Sequence, residues 1–143
     1  MGAGVAGVCV LVWLVVLSCV DIRDRRLPNR LTIPGAIVVL VAAAAAGRGA
    51  PAVIGAAALF IVYLAVHLVA PESMGAGDVK LAIGIGALTG AFGVDVWTLA
   101  ALGAPLLTAA WAVFAVVRRS ASTVPHGPSM CVAAVAACAL AVL

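Results

Sequence analysis

No charged side chain occurs before Asp21, and after it the charged residues gather in short stretches between long apolar runs. This placement constrains the fold more than any single motif. Hydrophobic residues make up 66% of the chain and charged residues 9%, with a mean hydropathy of +1.32. A soluble domain keeps roughly a quarter of its residues charged, because water must solvate its surface. A chain this poor in charge cannot cover a globule with polar groups, so the bilayer has to be its solvent. In lipid, unpaired backbone groups are too costly to leave exposed, so such runs read as helices.

Six apolar segments can be marked, at about 3–20, 32–46, 52–70, 80–92, 96–117 and 129–143. A spanning helix needs about 20 apolar residues, so the second, fourth and sixth segments are short for the task. Charge placement supports six spans. Arg23, Arg25, Arg26, Arg30, Lys80, Arg118 and Arg119 fall on one side of the membrane and only Arg48 on the other. Positive residues favour the cytoplasmic side, which puts the loops after spans one, three and five inside and both termini outside. The outer turns are minimal, Gly47–Pro51 and Gly93-Val94-Asp95. The expected fold is therefore all-α: a single polytopic membrane domain over residues 1–143 with about six transmembrane helices. The first apolar stretch lacks a basic leader, so it reads as a retained span and not a cleaved signal peptide.

Several function classes fit poorly. A nucleic-acid binder would gather Lys and Arg on one face with aromatics between them; here the basic residues punctuate apolar runs, and membrane lipid is the expected contact. Cys9, Cys19, Cys131 and Cys138 all lie in apolar runs without a C-x-x-C, and neither His67 nor His126 is spaced to complete a zinc site with them. No metal and no cofactor is expected. Transporters place ionisable groups near the bilayer midplane, and these spans are almost free of them. A small non-catalytic scaffold or transporter subunit stands as the alternative reading.

Most polar residues fall in two inside loops, Asp21 to Thr32 and Pro71 to Lys80. Asp21 directly follows an apolar run and Asp78 precedes one, separated from it only by Val79, Lys80 and the helix start, so both sit where a helix meets the membrane surface. Two spans separate them, which puts them on the same side. Paired carboxylates can hydrolyse a peptide bond: the ionised one takes a proton from water and the protonated one donates to the scissile carbonyl. Carboxylates a few ångströms apart cannot easily both ionise, so they share a proton. Gly75 and Gly77 permit positive φ and close approach of an extended peptide. Equally, glycines before an N-capping Asp are ordinary helix grammar, and Asp21 and Asp24 could simply pair with the arginines around them. The residues alone do not choose between Asp21 and Asp24. Pro28, Asn29 and Thr32 mark a turn and a helix start.

Taken together, the two loops resemble the type IV prepilin peptidase family. The family's first motif, an Asp at a helix end followed by a basic stretch and Leu-Pro-Asn, is matched by Asp21-Ile22-Arg23-Asp24-Arg25-Arg26-Leu27-Pro28-Asn29. Its second, Met-Gly-x-Gly-Asp-x-Lys, is complete in Met74-Gly75-Ala76-Gly77-Asp78-Val79-Lys80. A third stretch, Pro125-His126-Gly127-Pro128, looks like the family's Pro-x-Gly-Pro before the last helix. The resemblance covers nearly the whole chain. It implies an aspartic endopeptidase of pilus biogenesis and protein secretion, with Asp21 and Asp78 as the catalytic pair. It also implies motif support or substrate binding by Gly75, Gly77, Lys80, Pro28 and Asn29. The implied substrate is a prepilin or pilin-like precursor, cut between its basic leader and its apolar helix. The implied location is the bacterial inner membrane, with the active site facing the cytoplasm. The paired C-x-x-C region linked to N-methylation in long family members is absent from these 143 residues, so the chain looks like the short peptidase-only forms. Presenilin-type proteases share Gly-x-Gly-Asp but pair it with a Tyr-Asp within a span, whereas Val20 precedes Asp21 here.

The remaining polar residues carry plainer expectations. Asp95 and Glu72 read as solvated, His126 as an interface residue, and His67 as snorkelling or hydrogen-bonded near the inner end of its span. Lys80 is expected either to meet lipid phosphate or to act on Asp78. Trp13, Trp97 and Trp111 are expected to pack or to anchor at interfaces.

Overall fold

The computed structural model describes residues 2–120 and 123–143, which form six α-helices with no strand among them. These are α1 (Gly2–Asp24), α2 (Asn29–Ala45), α3 (Gly49–Val69), α4 (Ala76–Phe92), α5 (Val94–Val117) and α6 (Gly127–Val142). Long and short helices alternate. α1, α3 and α5 have 23, 21 and 24 residues, and all three are long and apolar enough to cross a membrane. α2, α4 and α6 have 17, 17 and 16. At ~1.5 Å per residue the long set exceeds the ~30 Å hydrocarbon core and the short set falls a few ångströms below it. The exposed apolar side chains, among them Val5, Val12, Leu68, Val116 and Leu140, form the surface that lipid solvates. The protein is an all-helical membrane protein.

Two helix boundaries differ from the sequence expectation in ways that matter for the site. The hydropathic run ends at Val20, but α1 continues to Asp24. No Pro or Gly occurs in residues 21–24, and the helix stops only where Arg25 takes a left-handed φ of 53°, a common way to close a helix. Asp21 therefore sits inside the last turn of α1 and not in a loop. At the other motif, α4 begins at Ala76, with Gly75 as its N-cap at φ −71°. Asp78 is thus the third residue of the helix and not its cap. Neither Gly75 nor Gly77 is among the positive-φ residues, so the expected left-handed turn is absent. The outer turn before α5 is also tighter than expected: Gly93 alone, at φ 127°, joins α4 to α5.

α4 lies at the centre, packed against α2, α3, α5 and α6. Ten of its 17 residues are buried. Small residues make this possible: a Cβ on Gly86 would stand 2.4 Å from the Gly55 carbonyl oxygen of α3. Backbones in such contact gain van der Waals packing where no hydrophobic force between helices is available. Leu17, Leu81, Ile85 and Met130 fill the interior. Trp13 and Trp97 turn inward, their indole N–H groups donating to the carbonyls of Leu31 at 2.9 Å and Gly55 at 3.0 Å. One end of the bundle gathers the C-termini of α1, α3 and α5 and the N-termini of α2, α4 and α6. At the other end Arg48, before α3, donates to the Ala91 carbonyl near the end of α4 at 3.0 Å.

Candidate active site

Asp21 and Asp78 converge at the arginine-rich end of the bundle. Asp21 is 7% exposed and Asp78 9%. These are the two buried carboxylates among the described residues, and each comes from a helix end in a different half of the chain. Asp24, one turn beyond Asp21, is exposed and lies 3.9 Å from the still more exposed Arg23. The structure therefore separates the two aspartates that the first loop left open, burying Asp21 and leaving Asp24 in solvent.

Each buried carboxylate is held by a backbone N–H at a helix start. The first turn of a helix leaves N–H groups without intrahelical partners. At α6, no side chain of its own fills that role. Instead the Gly127 N–H donates to Asp21 Oδ2 at 3.1 Å, a buried contact between residues 106 apart in sequence. The partial positive charge at the start of α6 favours a carboxylate there. At α4, Asp78 reaches back to its own N-cap, taking a hydrogen bond from the Gly75 backbone. This is one half of a capping box.

Electrostatics set the two groups apart from ordinary surface carboxylates. Asp78 lies ahead of the apolar stretch of α4 that starts at Leu81. Burial, reinforced by the negative charge of Asp21, raises its pKa to about 7, against the smaller opposing effect of the Gly75 hydrogen bond. Two carboxylates that feel each other this way, out of water, titrate as a pair. The arrangement suits one proton shared between two acids.

The other motif residues connect the two loops. Lys80 Nζ donates to Asn29 Oδ1 at 2.7 Å, tying the start of α4 to the start of α2. Gly77 lies beneath Leu27; a Cβ at Gly77 would stand 3.0 Å from that of Leu27. The glycine thus serves close approach of one motif to the other and not a left-handed turn. Pro28 caps α2 in extended conformation, its carbonyl accepting from the N–H groups of Leu31 and Thr32. Arg25 donates to Thr123, linking the first loop to the segment before α6.

Four residues that the sequence reading did not place in the site adjoin it. Gly127 touches Asp21 directly. His126 lies between Tyr63 of α3, whose hydroxyl is 2.9 Å from Nε2, and Thr108 of α5, whose Oγ1 is 2.6 Å from Nδ1. The only advance signal for any of them was the Pro125-His126-Gly127-Pro128 stretch. His67, expected to snorkel or hydrogen-bond, donates from Nδ1 to the Met74 carbonyl at 2.7 Å and so fixes the turn before Gly75. Glu72 is exposed on the same side, and Asp95 is exposed near the opposite end. An apolar groove of about 460 Å³ runs between α1 and α6, lined by Leu11, Leu14, Val15, Ser18, Cys131 and Val135 among others. It ends one helical turn from Asp21.

Comparison with known proteins agrees with the motifs. The profile of the type IV leader peptidase family matches residues 8–143. A prepilin leader peptidase/N-methyltransferase of Xanthomonas campestris pv. campestris is 30% identical over 138 residues, covering 91% of this chain and 48% of that protein. The chain thus spans about half the length of this relative. No solved structure gives a significant match.

Proposed function

The chain belongs to the type IV leader peptidase family, and from that premise we propose that it is a membrane aspartic endopeptidase acting on prepilin-type precursors. The observation that carries the reading is the buried Asp21–Asp78 pair, each carboxylate held by a helix-start N–H. In this reading the pair holds one proton, on Asp78, and Asp21 is ionised. Asp21 takes a proton from a water as that water attacks the scissile carbonyl carbon. Asp78 gives its proton to the carbonyl oxygen. The resulting diol collapses when Asp21 passes its new proton to the leaving nitrogen and Asp78 regains one from a diol hydroxyl. The pair ends in its starting state, and no bond to the enzyme forms.

Substrate and location follow from the surroundings. The site lies at the end of the bundle that carries Arg23, Arg25, Arg26, Arg30, Arg118 and Arg119, which the positive-inside tendency assigns to the cytoplasm. The bond cut is then at the membrane surface, between a polar leader in the cytoplasm and an apolar helix in the bilayer. The α1–α6 groove, whose lining reaches Ser18 and Cys19 within one helical turn of Asp21, offers that apolar helix a path toward the pair. Six spans with both termini outside, in a bacterial inner membrane, complete this reading.

The reaction itself is the test. The purified protein in lipid nanodiscs is incubated with a precursor carrying a basic leader, and both products are identified by mass spectrometry. One cut at the leader junction supports the proposal. Cleavage that survives replacement of both aspartates overturns it.

The Lys80–Asn29 contact yields a smaller prediction. Lys80→Met and Asn29→Ala should each slow cleavage about fivefold, and the double variant no more than either alone, because each removes the same tie. An exposed contact of this kind contributes about 1 kcal/mol or less to stability, so melting temperatures should barely move. Additive losses in a double-mutant cycle would assign the two residues separate roles.

A further inference from the structure

Among the described residues, His126 is the side chain that ties three helices together next to the Asp21 carboxylate. It precedes α6, its Nε2 meets Tyr63 of α3 at 2.9 Å, and its Nδ1 meets Thr108 of α5 at 2.6 Å. The next residue supplies the N–H that holds Asp21. The His126 carbonyl accepts the Met130 N–H at 3.1 Å, the first helical bond of α6. The imidazole thus pins the residue whose peptide link carries the Gly127 N–H.

The hydrogen-bond directions close on a single arrangement. Thr108 Oγ1 donates to the Ala104 carbonyl one turn back at 3.1 Å, which leaves its lone pairs to accept from His126 Nδ1–H. The bare Nε2 then accepts from the Tyr63 hydroxyl. Every donor has an acceptor, the imidazole is neutral, and burial favours that state by lowering its pKa. A neutral ring fixed at both nitrogens is stiff. An ordinary interface histidine needs only one such partner.

We infer that His126 is a positioning residue for the peptidase: braced by Tyr63 and Thr108, it sets the Gly127 N–H that orients Asp21 toward Asp78. This deepens the proposed function and rests on it. His126 does not touch the reacting atoms and takes no proton from water or substrate. It acts through the backbone, so its loss changes the geometry of the pair and leaves the substrate groove intact.

The test uses Tyr63→Phe, Thr108→Val and His126→Phe in the full-length protein, with Asp21→Asn and Asp78→Asn as reference. Misplacing a reacting group by about 1 Å can cost about 100-fold in rate. The expected result is a fall in kcat of about tenfold for Tyr63→Phe and Thr108→Val, and about 100-fold for His126→Phe. KM should stay within about twofold of wild type, and Tyr63→Phe should add nothing to His126→Phe. A wild-type kcat in His126→Phe overturns the inference, as does a loss confined to KM. If the Asp→Asn variants cleave normally, the peptidase reading fails instead.

A second readout does not depend on cleavage. The chain has two histidines, so ¹⁵N-histidine labelling gives an assignable spectrum. His126 should appear as the neutral Nδ1–H tautomer near neutral pH. The Gly127 amide proton should sit downfield, as expected for a donor to a carboxylate, and move upfield in Tyr63→Phe and Thr108→Val. A Gly127 amide that ignores both remote substitutions overturns the inference.

Discussion

Asn at either position of the pair will reduce precursor cleavage by about a thousandfold or more while the protein remains folded in the membrane. General acid–base catalysis by one positioned group contributes about 10²–10⁴-fold, and in the proposed mechanism each residue serves twice per turnover. The two substitutions fail for different reasons. Asp78→Asn removes the proton given to the carbonyl oxygen. Asp21→Asn removes the base that takes a proton from water, although its amide oxygen can still accept from Gly127. Groups acting as a unit are not additive, so the double variant should be no worse than the weaker single one. Rates are measured with each variant's membrane level and melting temperature alongside. Wild-type cleavage by either abundant variant would remove the pair from the chemistry.

The pH profile carries the same argument. Burial and the Asp21 charge raise Asp78 to about 7. The proposed mechanism needs that proton, so the rate should fall as pH rises through about 7. The linked effect on stability has a definite sign. An acid whose folded pKa lies above its unfolded value contributes stability that is fully present below the unfolded pKa, 3.8 here. That stability is lost as pH rises through the folded value. Asp78→Asn cannot ionise and escapes the loss, so it should melt no lower than wild type at pH 8. An inactive variant at least as stable as its parent separates chemistry from folding. A wild-type rate that stays flat from pH 6 to 9 would contradict the shared proton.

The two carboxylates were legible in the sequence because each stands at the edge of an apolar run, within a compact motif. The all-helical organisation was legible too, because the few charged residues fall between the apolar runs that form the six helices. What hydropathy could not give was the helix ends. α1 overruns its apolar stretch by four residues to Asp24, and α4 starts four residues before Lys80, because a helix ends where its hydrogen bonds fail and not where its hydropathy falls. Contacts between distant helices were also hidden. Gly127 and Asp21 are 106 residues apart and Tyr63 and His126 are 63 apart; no periodicity along one helix reports the register of another. Gly77 shows a subtler gap. The residue type signalled a special backbone need, but only the structure shows that the need is room for Leu27.

Gly127→Ala will cut cleavage by about 100-fold with little effect on folding. A Cβ at this position would stand 2.5 Å from Asp21 Oδ2 and 3.1 Å from its Cγ. Backbone at this distance could not yield, but a carboxylate at the end of a side chain can swing away, so the helices need not move. Alanine also suits the first turn of α6 as well as glycine does, or better. The damage is therefore local: the swing breaks the 3.1 Å bond from the Gly127 N–H and turns Asp21 from its alignment with Asp78. Losses of about 100-fold are what an ångström of misplacement costs a reacting group. Gly7→Ala is the matched control, since a Cβ there meets nothing within 4 Å, and it should cleave at the wild-type rate. The measurement is the cleavage rate of both variants at equal membrane abundance, with melting temperatures. If Gly127→Ala matches Gly7→Ala in rate, the Asp21 carboxylate does not depend on the start of α6 for its orientation, and the helix-start N–H is a structural cap alone.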